Sequence, residues 1–125
     1  MNANEEEQAF EAVVGAAYEV ANVLGAGFLE KVYERALVRE LAIRGLKARS
    51  QVGFPVSYKG HCVGQYVADL MVEDWLIVEL KCVESFTNEH LAQCINYLRA
   101  SGKKVALLLN FQKPKVQWKR VVYGL

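Results

Sequence analysis

The stretch DLMVEDWLIVELKCVES, residues 69–85, constrains the fold more than any other. Its short apolar runs, broken by polar residues, have the pattern of strands in a covered sheet. Yet Asp69, Glu79 and Lys81 are charged, and the last two interrupt the apolar run itself. Side chains alternate faces along a strand, so Glu79 and Lys81 point one way and Val78, Leu80 and Cys82 the other. An antiparallel hairpin pairing Asp69 with Glu79 puts both carboxylates on one face. The same register sets Val72 opposite Leu76 across a three-residue loop, Glu73-Asp74-Trp75. A two-residue loop would turn Asp69 to the other face unless a bulge intervened, and the apolar pattern admits both.

The rest of the chain supplies what such a hairpin needs to be buried. Residues 5–23 place Phe10, Val13, Val14, Ala17, Val20 and Ala21 at helical spacing, and Leu24-Gly25-Ala26-Gly27 interrupts them. A second helix is expected from about 28 to 44, with Leu29, Tyr33, Ala36, Leu37 and Leu41 on its apolar arc and Gly45 as its stop. The period then shortens to two, giving strands at about 49–58, 62–72 and 75–83. Thr87 or Asn88 caps a third helix that ends at Gly102. Residues 104–111 form a near-continuous apolar run suited to a central strand, and residues 116–124 alternate as a last one. The order α-α-β-β-β-α-β-β, with a meander followed by a helical crossover, implies an α/β fold with a mixed sheet.

At 125 residues the chain fits one domain, 1–125, and can bury a core without disulfide or metal. Cys62, Cys82 and Cys94 form no CxxC pair and read as reduced. His61, Cys62, His90 and Cys94 lack the paired short spacings of a zinc site. No apolar run reaches membrane-spanning length, and the acidic N-terminus lacks the order of a signal peptide, so a cytoplasmic protein away from membranes is expected. Net charge is only +1, but residues 1–34 hold seven glutamates against one lysine. Lys103, Lys104, Lys113, Lys115, Lys119 and Arg120 crowd an acid-free C-terminal stretch. That asymmetry fits either a nucleic-acid surface or strands kept soluble by exposed cations.

Two carboxylates and an ammonium converging on one spot have two readings. Hard oxygens brought together and partly desolvated repel unless a cation such as Mg²⁺ or Mn²⁺ intervenes, and such an ion can activate water and neutralise phosphoryl charge. Lys81 could then hold that water or stabilise the developing charge. The other reading is a structural Glu79–Lys81–Asp69 salt-bridge cluster.

The spacing Asp69 … Glu79-Leu80-Lys81 resembles the D…(D/E)-x-K signature of the PD-(D/E)XK nuclease superfamily. Gly27, Glu30 and Tyr33 match the motif of the GxxExxY family within it; QCINYL at 93–98 and LLLNF at 107–111 resemble its later helix and strand. The resemblance covers about residues 9–123 and implies a restriction-endonuclease-like core, a mixed central β-sheet flanked by helices. It implies Asp69, Glu79 and the Leu80 carbonyl as ligands of Mg²⁺ or Mn²⁺, Lys81 as the catalytic lysine, and Glu30 as a helix carboxylate that binds or orients the metal and its waters. Gln93 matches a helix glutamine that touches the site. Ala68 stands where the family name has proline. Read from the residues alone, Glu30 could instead face solvent or pair with Lys31 or Arg35, Gln93 could be an exposed polar residue, and Tyr33 and Tyr97 sit at core spacing. The resulting expectation is a metal-dependent nuclease acting on DNA or RNA, with the six C-terminal cations contacting phosphates and a homodimer as a further expectation. The alternative is a catalytically silent module that binds nucleic acid or protein.

Overall fold

A computed structural model of the chain describes residues 1–124; Leu125, the last residue of the domain expected over 1–125, lies outside them. Helices α1 (Ala3–Leu24) and α2 (Glu30–Ile43) come first, followed by strands β1 (Ala48–Tyr58), β2 (His61–Val72) and β3 (Leu76–Lys81). Helix α3 (Asn88–Ser101), β4 (Val105–Asn110) and β5 (Gln117–Val122) complete the chain. The five strands lie in the order β1-β2-β3-β4-β5. All neighbours are antiparallel except β3 and β4, which run parallel because α3 carries the chain back between them.

The sheet has an apolar layer on each face. On one, Phe10, Val13, Ala17 and Val20 of α1 and Tyr33, Leu37 and Leu41 of α2 bury Leu70, Val72, Leu76, Val78, Leu80, Leu107 and Leu109. On the other, Cys94 and Leu98 of α3 pack on Tyr66, Ala68, Met71, Ile77, Ala106 and Leu108. Covered on both faces, β4 has no exposed residue after Val105, which is why its sequence is a run of leucines rather than an alternation. Local signals place the ends. Asn2 caps α1 by accepting from the Glu5 N–H at 2.8 Å, and Thr87 caps α3 by accepting from the His90 N–H at 3.3 Å.

The β2–β3 ladder runs in the register inferred from the sequence, with Leu70, Met71 and Val72 opposite Val78, Ile77 and Leu76. The three-residue loop works because Glu73 and Asp74 both take left-handed backbone angles, with φ of 53° and 60°. Asp74 Oδ1 accepts from Arg49 at 2.7 Å, and Glu73 accepts from the Lys47 N–H at 3.2 Å. Asp74, with a short polar side chain, tolerates that conformation better than a branched residue would.

Simple alternation fails at one level of the sheet. Tyr66 and Ala68 face α3, yet Leu70 and Val72, an even number of residues later, face α1 and α2. Across the ladder, Val52 and Phe54 face α3 while Ala48 faces the other layer. Pairing runs from Ser50–Leu70 to Val52–Ala68 and skips Gln51 and Asp69, where Gln51 has a φ of 56°. A left-handed residue inside a strand turns the following side chains over. Asp69 therefore sits at a break in the sheet rather than on a regular face.

Candidate active site

Beyond that break β2 and β3 part. Their ladder stops at Leu70–Val78, so the Leu80 N–H has no β2 carbonyl to meet; it donates instead to Asp69 Oδ2 at 2.8 Å. The Asp69 N–H reaches Glu79 Oε1 at 3.4 Å, and the Tyr66 hydroxyl donates to the same oxygen. Two carboxylates are thus held by cross-links at the point where the strands diverge. Glu79 is only 5% exposed while Asp69 is half-buried. Burial, and then the negative charge of Asp69, push the Glu79 carboxyl up to about 8, against the pull of the Tyr66 hydroxyl toward the charged form. Tyr66 itself is held protonated by burial and by the Glu79 charge.

Lys81 ends β3, half-buried, and its carbonyl accepts from the Phe111 N–H at 2.9 Å. Among the described residues its ammonium makes no ion pair or hydrogen bond with Asp69, Glu79 or any other acid. The expected salt-bridge cluster is therefore not what holds these three charges together. Lys81 lies close enough to Cys94 to oppose the rise of that thiol, which burial and Glu79 push up to about 12.

Asn110 holds the end of β3 in place. Its amide donates to the Val83 carbonyl at 2.8 Å, and its oxygen accepts from the Val83 N–H at 3.1 Å. The same oxygen takes the Gln112 N–H, and Gln117 accepts a second amide proton. This clamp draws the chain off the sheet after Lys81, so β3 ends there and not at 83 as its apolar pattern suggested.

With this geometry in hand, comparison with known proteins is decisive for the family. A family model described as the PD-(D/E)XK nuclease superfamily matches residues 7–121. The chain belongs to the PD-(D/E)XK nuclease superfamily. No protein of curated function matches it in sequence. Two solved structures share its fold. The crystal structure of SSO0001 aligns at a TM-score of 0.57 and 16% identity, over 76% of this chain and 50% of that one. An alkaline exonuclease from Laribacter hongkongensis aligns at 0.53 and 14% identity, over 94% of this chain and 82% of that one. The chain thus spans half the length of the first and most of the second.

The other residues singled out by resemblance to the superfamily fall in different places. Gly27 and Tyr33 build the α1–α2 loop. Gly27 supplies a φ of 107°, while the Tyr33 hydroxyl donates to the Gly25 carbonyl at 2.6 Å and accepts the Phe28 N–H at 3.2 Å. The Tyr33 ring stacks on Phe111 at 4.6 Å, which ties this loop to the end of the sheet where Lys81 and Asn110 lie. Glu30 is the first residue of α2, at that end and exposed. Its charge is felt by Cys82, whose thiol is pushed up first by burial and then by Glu30. Cys82 packs with the α1–α2 layer, whereas Glu79 bonds Tyr66 on the α3 side. Among the described residues no three His, Cys, Asp or Glu side chains gather as metal ligands. Gln93 is exposed on α3, one turn before Tyr97, and bonds neither carboxylate.

The six cations do not share one surface. Lys103 donates to the Asp74 carbonyl at 2.8 Å and, with Lys104, lies by the β2–β3 loop, at the far end of the sheet from Lys81. Arg120 is paired to Glu7 at 3.0 Å and lies over the Phe10 ring, so that much of its charge is answered within the chain. Lys119 projects from β5, an edge strand. Only Lys113 and Lys115, in the loop after Asn110, lie at the site end.

Tyr66 escaped the sequence reading. Period-two alternation puts Tyr66 on the opposite face from Asp69, and only the break at Gln51 and Asp69 brings its hydroxyl to Glu79. The two acids nevertheless form a donor set that fits a divalent cation. Both offer hard oxygens, and without positive charge between them one is driven toward protonation.

Proposed function

We propose that the chain is a metal-dependent phosphodiesterase that hydrolyses nucleic acid, DNA or RNA. The observation that carries this reading is the pair of cross-linked carboxylates at the strand break, beside a lysine that pairs with neither. Asp69, Glu79 and the Leu80 carbonyl would hold Mg²⁺ or Mn²⁺, with Glu30 acting at longer range on its waters. Bound there, the ion would supply charge neutralisation at the phosphate and a more acidic water. The protein contributes the rest. Asp69 and Glu79 are oriented by the Leu80 N–H and the Tyr66 hydroxyl, so little reorganisation is needed to receive positive charge. Lys81, fixed by its backbone and unpaired among the described residues, is free to hold the attacking water or to stabilise negative charge on the phosphate oxygens. Lys113 and Lys115 would meet flanking phosphates. Similarity of fold to an alkaline exonuclease supports the reaction class.

The test is cleavage of labelled single-stranded and duplex oligonucleotides with Mg²⁺ or Mn²⁺. Activity lost in both Asp69→Ala and Lys81→Ala is expected. A metal-loaded wild-type protein that cuts no substrate would overturn the reading. The absence of a third gathered carboxylate favours a second one, a silent nucleic-acid or protein-binding module. In that case Mn²⁺ leaves the melting temperature unchanged, whereas a bound ion raises it by mass action.

A further inference from the structure

A groove opens beside Tyr66, whose hydroxyl bonds Glu79. Past Leu70, β2 has no β3 partner, so residues 52–67 of the β1–β2 hairpin stand out from the sheet as a two-stranded arm. The C-terminal half of α3 lies along this arm and leaves a cavity of about 970 Å³ between them. Val56 and Tyr66 line it from the arm, and Asn96, Tyr97 and Arg99 from the helix. The Tyr66 and Tyr97 rings stack at 3.7 Å with 7° between their planes, and Tyr66 is the residue whose hydroxyl reaches Glu79. Arg99 and Asn96 are exposed, and among the described residues neither side chain has a salt bridge or hydrogen-bond partner. Gly64 lies opposite Val56 on the arm, in line with Tyr66 by alternation, and a Cβ there would meet nothing within 4 Å.

We infer that this groove seats a single strand of nucleic acid and leads it to the carboxylates. The inference rests on the nuclease reading for its direction but concerns a different surface. Its chemistry matches unpaired nucleotides: the half-buried Tyr97 ring, backed by Tyr66, for a base, an amide for base edges and one guanidinium for a phosphate. A duplex would call for rows of cations along two backbones, and the groove has only Arg99.

The experiment uses the full chain carrying Lys81→Ala, which removes cleavage, and reads fluorescence anisotropy of labelled single-stranded DNA, single-stranded RNA and matched duplex. Tighter binding of a single strand than of duplex is expected. Gly64→Phe, added to fill the groove, and Arg99→Glu should each weaken that binding by about tenfold or more, the loss of one stacked base or phosphate contact. Arg99 is exposed on a helix, so its variant decides the matter if Gly64→Phe fails to melt cooperatively. Single-strand binding unchanged in Arg99→Glu, or duplex bound more tightly by the parent, overturns the inference. The two readings separate cleanly. Wild-type protein that cleaves nothing but whose strand binding falls in the groove variants sinks the nuclease and keeps the groove. Protein with Lys81 intact that cleaves normally despite Arg99→Glu keeps the nuclease and sinks the groove.

Discussion

Glu79 carries an acid's side chain where an acid is least comfortable, almost sealed from water and beside a second carboxylate. With its carboxyl at about 8 in the folded chain and near 4.3 in an unfolded one, the folded state binds the extra proton between those values. Stability of the metal-free protein is therefore full at the acidic end of that window and lost as pH rises toward 8, by at most about 1.4 kcal/mol per pH unit. Urea unfolding at several pH values in EDTA should show this slope in wild type and its reduction in Glu79→Gln. Tyr66 works against the same penalty by donating to the charged form. Tyr66→Phe should raise the Glu79 carboxyl further, and the rise in melting temperature caused by Mn²⁺ near neutral pH should shrink, measured by thermal denaturation with and without the ion. A packing-only role for Tyr66 would leave the metal-induced rise intact.

At the scale of elements, small polar devices aim the strands and helices. The Tyr33 hydroxyl satisfies two backbone groups of the α1–α2 loop, and Tyr33→Phe leaves a half-buried carbonyl and an N–H without it. A loss of about 1–3 kcal/mol in urea unfolding is expected. Asn110 does the same for the end of β3. Asn110→Ala should lower hydrogen-exchange protection at Val83 and Gln112 more than at Leu107, and reduce cleavage through a loosened Lys81 while the protein stays folded. These elements were legible from sequence because their signals are local. Thr87, Gly45 and the leucine run of β4 each mark an end or a buried strand through neighbours a few residues away. The break at Gln51 was not legible. Nothing about glutamine announces a left-handed residue inside a strand, and the angle is set by two strands packed on different helices.

Across the whole molecule, the charge asymmetry written in the sequence is divided by the fold. Lys103 and Lys104 lie at one end of the sheet, Lys113 and Lys115 at the other, and Arg120 is bound to Glu7. Replacing Lys113 and Lys115 together by glutamine should weaken oligonucleotide binding and flatten its dependence on salt, whereas the same change at Lys103 and Lys104 should leave both near wild type. Binding titrations at two or more salt concentrations test this. Equal losses from the two pairs would mean that substrate spans the sheet from end to end. Among the described residues no helix is long and apolar enough to cross a membrane.

The sequence by itself determined the element order and the mixed sheet, because hydrophobic period and caps are properties of near neighbours, while it left two β2–β3 registers open. It also carried Asp69, Glu79 and Lys81 in their characteristic spacing, and through them the superfamily. Only the tertiary structure decided which groups meet. Tyr66 reaches Glu79, Asp69 takes the Leu80 N–H, and among the described residues Lys81 pairs with no acid. Those contacts depend on where two strands part and on which helix covers each face, and no pattern of neighbours along the chain encodes either.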